Sequence, residues 1–197
     1  MEQMHQLADA VRETFSADGH NIKKAVSLHP SFGRSKVPQS GLARNMVLDA
    51  ITEQARVLNI GVKTVAGGGC DILIFDDLTE RHYRVLKATK DPETDAYDIL
   101  GSENLLDVAD AEPSMFTTTE RWVFAYTVDD AGMIIDVFEA RVAGLSKHKV
   151  PHLLLEGITI LGTGLTPPPE GRGYQPPDED LDGFGDEESG EDGSEAM

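Results

Sequence analysis

Gly67–Lys90, GGGCDILIFDDLTERHYRVLKATK, reads as a strand, a short polar turn and a second strand, and the fold expected for the chain follows from it. Two charges lie inside its apolar runs. Asp71 opens the run Ile72, Leu73, Ile74, Phe75, and Lys87 stands between Leu86 and Ala88. A charge placed among apolar residues costs free energy unless it is paired or holds an ion. Side chains alternate along a strand, so Asp71, Leu73 and Phe75 share one face of the first strand, and Tyr83, Val85, Lys87 and Thr89 one face of the second. A turn centred near Thr79 predicts Phe75 opposite Tyr83, Leu73 opposite Val85 and Asp71 opposite Lys87. Any even shift of that register keeps both charges on one face.

Working outward, the residues before this stretch predict a helix over about Gly41–Leu58, with Ser40 as its N-cap and Asn59 closing it. Leu42, Met46, Val47, Ala50, Ile51, Val57 and Leu58 form its apolar face, and Glu53 falls at the edge of that face between Leu42 and Met46. Ile60–Ala66 reads as a strand. The glycines 67–69 are read as a turn or bulge and not as a phosphate-binding loop, because such a loop must open a helix and a strand follows here. Further on, Ser102–Ala111 reads as a short helix. Arg121–Val128 and Met133–Val142 read as a hairpin across Asp129–Gly132. On its second strand Asp136 and Glu139 point to opposite faces, so one of them is expected to face inward. Leu153–Leu161 adds a last strand, with a bulge expected at Glu156 and Gly157. Upstream, Met4, Leu7, Ala8, Val11 and Phe15 recur at helical spacing over residues 1–17. Residues 18–40 read as a long loop with one helical turn near Ile22–Val26.

A helix carrying Glu, a strand carrying Asp and a second strand carrying Lys together resemble the restriction-endonuclease-like PD-(D/E)XK superfamily, over roughly residues 40–162. The resemblance implies an α/β fold with a mixed central sheet flanked by helices. It also implies a metal-dependent phosphodiesterase in which Mg²⁺ is held by Asp71, by Glu53 and by the main-chain carbonyl at Leu86, with Lys87 stabilising charge or positioning water. In that family an acidic residue stands two positions before the lysine. Here that position is Val85, and valine cannot hold a hard cation. A nuclease-like site that is degenerate and a non-catalytic interaction protein, binding a partner through its fold or its tail, therefore both stay open. So do two readings of Glu53, reaching towards a metal or pointing outward to pair with Arg44 or Arg56.

The 197 residues carry a formal charge of −18, and its distribution is lopsided. Residues 175–197 hold ten acidic and no basic side chains, leaving 25 acidic against 17 basic elsewhere. Between residues 19 and 48 there is no Asp or Glu, but Lys23, Lys24, Arg34, Lys36 and Arg44 are present. Arg141, Lys147, His148, Lys149 and His152 form a second basic group. Such blocks suit a phosphate-contacting surface, so DNA is an expected partner. A solvated loop, or a dock for the chain's own acidic tail, are the other readings of the first block. The organisation expected is an N-terminal helix and basic loop (1–39), the α/β core (40–162), a Pro/Gly linker (163–174) and a disordered acidic tail (175–197) able to meet a protein partner. One cysteine, Cys70, excludes an internal disulfide, and no apolar run approaches the roughly 20 residues that span a bilayer. A cytoplasmic protein without membrane contact is expected. With one Cys and six His, a zinc site is not expected: His20, His29 and His82 share no ligand spacing, and His148 and His152 at i and i+4 would need a helix that Pro151 disfavours.

Overall fold

The computed structural model describes residues 2–65, 69–76, 79–101 and 118–162. The chain opens with helices α1 (Glu2–Asp18) and α2 (His20–Ser27), a short 3₁₀ turn at Phe32–Arg34, and the long helix α3 (Val37–Leu58). The strands follow as β1 (Gly61–Val65), β2 (Gly69–Asp76), β3 (Thr79–Lys87), β4 (Thr89–Lys90), β5 (Tyr97–Asp98), β6 (Thr118–Val128), β7 (Ile134–Leu145) and β8 (Leu153–Ile160). Six of them form a mixed sheet in the order β1-β2-β3-β6-β7-β8, and β4 pairs with β5 in a small separate ladder. Only the β3–β6 pairing is parallel. This is the mixed α/β architecture the sequence predicts. Among the described residues, however, the helices all lie on one face of the sheet.

The two faces have separate cores because strand alternation sends apolar residues both ways. Towards the helices point Ile72, Tyr83, Val85, Phe124, Tyr126 and Val137, packed against Leu7, Val11, Phe15, Val47 and Ile51. On the other face Val123, Ala125, Phe138, Ala140 and Leu153 form a smaller cluster that Ile99 and Tyr97 cover. Each large side chain buried in this way contributes roughly 1.5–3 kcal/mol. The inward-facing acid expected on β7 is Glu139, which is 1% exposed on the helical face. Asp136 points to the opposite face, where it accepts hydrogen bonds from Lys90 Nζ (3.3 Å) and the Tyr97 hydroxyl (3.0 Å).

Three expectations are corrected. The stretch 18–40 is largely helical: α2 occupies eight residues of it and anchors through Ile22, and α3 begins at Val37, ahead of the expected Ser40 cap. Pro38 in the first turn is the reason, since a proline there lacks only an N–H that would be unbonded anyway and brings a φ suited to a helix. The buried stripe of α3 runs through Ala43, Val47, Ala50, Ile51 and Ala55. Alanines let α3 approach its neighbours closely, and this rotation turns Glu53 out to solvent and leaves Val57 exposed.

The third correction concerns register. Asp76 pairs with Thr79, which places Asp71 opposite Arg84, Ile72 opposite Tyr83 and Leu73 opposite His82. The ladder is displaced by three residues from the predicted one. An odd displacement exchanges the faces of one strand, so Asp71 and Lys87 lie on opposite sides of the sheet. Asn59, in contrast, closes α3 as expected, in a left-handed conformation with φ 54°. A bulge in β8 falls at Gly157, with φ 63°, where the register against β7 shifts. The predicted short helix at 102–111, the glycines 67–68, the linker and the acidic tail lie outside the described residues. No helix among the described residues is long and apolar enough to cross a membrane.

Candidate anion-binding cleft

Asp71, Lys87 and Glu53 do not meet. Asp71 is held by Arg84, whose Nη2 donates to Oδ2 at 3.1 Å and whose Nε donates to Oδ1. Both side chains of this pair are mostly buried. The pair is the answer to the charge inside the apolar strand: the cross-strand neighbour is a guanidinium, which fits a carboxylate through two parallel hydrogen bonds. Glu53 is exposed on α3. The main chain at Leu86 lies in the β3–β6 ladder opposite Ala125, and the Leu86 side chain packs into the smaller core. Among the described residues no three His, Cys, Asp or Glu side chains stand together as a metal-holding group. The donor set expected for Mg²⁺, formed by Asp71, Glu53 and Leu86, is thus not assembled, and no chemistry is derived through it.

Lys87 emerges where β3 ends beside the start of α3, and its Nζ donates to Ser40 Oγ at 3.1 Å. The two residues line a cleft of about 330 Å³ with Lys36, Lys90, Thr89 and Gln39 and, across from them, the acidic pair Asp129 and Asp130. Lys36 and Lys87 thus stand at the N-terminal end of a 22-residue helix, whose first turn holds no acidic residue and no side-chain cap, while the Lys90 ammonium turns to Asp136 on the other face of the sheet. Free N–H groups and the positive end of the helix dipole favour an anion at such a terminus. The far wall is the β6–β7 turn. Lys36 pairs with Asp130, and Gln39 Nε2 donates to the Asp130 carbonyl at 2.8 Å. That ammonium holds the Asp130 carboxyl below the usual carboxylate range. Gly132 in this turn has φ 85° and lies so close to Gln39 and Ile22 that a Cβ would crowd both.

Lys90 is bound to Asp136 and stacks on Tyr97 with its Nζ 5.4 Å from the ring centroid. The Asp136 hydrogen bond and charge raise its pKa. Lys87 differs from its two neighbours: among the described residues its ammonium takes only the Ser40 hydroxyl and no carboxylate.

The two basic blocks of the sequence lie on different parts of the fold. Lys23, Lys24, Arg34 and Arg44 are exposed on α2, the 3₁₀ turn and the first half of α3, on the helical side that carries the cleft. Arg141, Lys147, His148, Lys149 and His152 lie at the other end of β7. There Arg141 is paired with Glu156 and His152 with Asp98. Sequence reasoning passed over Lys90 and Gln39, and took Ser40 for a cap. The signal for Lys90 was present as an i+3 lysine after Lys87, but reading it requires knowing that β3 ends at Lys87 and that Lys90 passes into the separate β4–β5 ladder. Neither a protein-family model, nor a curated protein, nor a solved structure matches the chain.

Proposed function

We propose that this protein binds nucleic acid without cleaving it, through the Lys36–Lys87–Lys90 cleft and the exposed cations of α2 and the 3₁₀ turn. The observation that supports the reading best is Lys87, an ammonium without a carboxylate partner among the described residues, held towards a helix N-terminus in a cleft that Lys36 and Lys90 also line. A phosphodiester oxygen there would accept from Lys87 and from Ser40 and lie at the positive end of α3. The restriction-endonuclease resemblance enters as a proposal of ancestry: its lysine is retained for phosphate contact, and its carboxylates are given over to a structural ion pair and to solvent.

The test is fluorescence anisotropy with a labelled duplex over a series of salt concentrations. Affinity is expected to fall as salt rises. Lys87→Ala should weaken binding on the order of tenfold and reduce the salt slope by about one. Lys23→Ala, Lys24→Ala and Arg34→Ala should each act in the same direction. Unchanged affinity in the combined variant would remove the proposal. Duplex incubated with Mg²⁺ or Mn²⁺ should stay intact; cleavage that Asp71→Ala abolishes would restore the enzymatic reading.

A second reading rests on one observation of its own. Leu28 is 80% exposed, Val37 75% and Phe32 43%, interspersed with the same cations. Apolar groups among positive charges suit an acidic peptide with bulky side chains as well as they suit phosphates. Under that reading Leu28→Ala combined with Phe32→Ala abolishes partner binding, whereas nucleic-acid affinity barely changes.

A further inference from the structure

A second cleft, of about 360 Å³, opens between the C-terminal half of α3 and the strands β1 and β2. Leu48, Ala55, Ile60 and Val62 give it apolar walls. It exists because small side chains face each other across the two layers. Thr52 and Ala55 project from the helix, and Thr64 stands opposite Cys70 in the β1–β2 ladder, so none of these described side chains is large enough to fill the gap. The cleft opens to solvent where Arg56 and Thr64 are exposed, and its size and apolar walls suit a small organic molecule.

The polar complement of the cleft is one-sided. Among the described residues that line it, Arg56, exposed in the last turn of α3, is the one charged side chain, and none is acidic. Arg56 has no carboxylate partner among the described residues. Cys70 presents a neutral thiol: burial, and then the Asp71 charge, push its pKa up to about 11. It therefore behaves as a small apolar wall and leaves Arg56 uncompensated. We propose that this cleft binds an amphiphilic monocarboxylate, with its apolar body against Leu48, Ala55, Ile60 and Val62 and its carboxylate on the Arg56 guanidinium. The site is independent of the nucleic-acid proposal, since Arg56 lies about 30 Å from Lys36 along the helix axis.

The full chain with sodium octanoate provides the test, read both by calorimetric titration and by the alkylation rate of Cys70, the sole cysteine, with N-ethylmaleimide. Octanoate should bind saturably and slow alkylation at least about fivefold, and 1-octanol should bind more weakly. Arg56→Gln should weaken octanoate about fivefold while leaving octanol unchanged, as loss of a charge-assisted contact near the surface predicts. Thr64→Trp, an exposed strand position beside Cys70, should abolish both. Circular dichroism checks that each variant is folded, and Arg56→Gln stands as a test by itself because that side chain supports no packing. No saturable binding, binding that leaves Cys70 alkylation unchanged, or equal affinity for octanoate in Arg56→Gln would overturn the proposal.

Discussion

Asp71 shows how far a single residue can be read before its neighbours are known. Its presence at the head of an apolar strand requires a partner, and that requirement follows from desolvation alone. Which cation answers it depends on three residues of register, and the answer is Arg84. Asp71→Ala should therefore destabilise the fold by about 2 kcal/mol, because it strands a mostly buried guanidinium. Asp71→Ala combined with Arg84→Ala should cost less than the two single changes added together. Urea denaturation of the three variants measures this, and an additive result would mean that the pair is not coupled. Buried groups on the helical face also set the alkaline limit of stability. Burial raises the pKa of Cys70 from 9.0 to about 11 and of Tyr126 from 10.0 to about 12, and burial with the Glu139 charge raises that of Tyr83 further. With each of these groups the folded chain holds its proton more tightly than the unfolded chain, so the stability they contribute is whole below about pH 9 and is lost as pH rises through their folded values. Thermal melts should be flat from neutral pH to about pH 8.5 and then fall steadily. Cys70→Ala should remove the part of the fall between about pH 9 and 11.

At the scale of the element, α3 and the β2–β3 hairpin carry opposite lessons. The end of α3 was legible because Asn tolerates the left-handed backbone that stops a helix, and Asn59 closes α3 with φ 54° while the Ile60 N–H returns to the Ala55 carbonyl at 2.9 Å. Asn59→Gly should be neutral or slightly stabilising, and Asn59→Val should cost about 1–2 kcal/mol, measured as a shift in the denaturation midpoint. The start of α3 was misread because Pro38 signals a turn and the first turn of a helix equally well. That misreading concealed the site, since Ser40 inside the first turn presents its hydroxyl to Lys87 instead of capping the helix. The hairpin was legible as two strands, yet alternation does not choose between even and odd registers when both faces of the sheet are covered by apolar side chains. The pairing of Asp76 with Thr79 selected the odd one, and with it separated the two charges that the sequence suggested were neighbours.

For the whole molecule the governing quantity is the charge distribution. Removing residues 175–197 takes away ten acidic residues and raises the net charge from −18 to −8. On the nucleic-acid reading the truncated chain should bind duplex more tightly, by several-fold at low salt and less as screening grows. Weaker binding, or loss of a protein complex on truncation, would favour the tail as the interaction element. The sequence by itself determined the class of fold, the six-stranded sheet's principal strands, the opposite faces of Asp136 and Glu139 on β7 and the uneven distribution of charge, because each follows from the identity and spacing of residues close together in the chain. Tertiary structure alone decided which face Asp71 and Lys87 occupy, which stripe of α3 is buried, and that Lys36, Lys87 and Lys90 share a cleft. Those outcomes depend on turn length and on how closely alanines let helices pack, and both are settled only when distant segments compete for the same space.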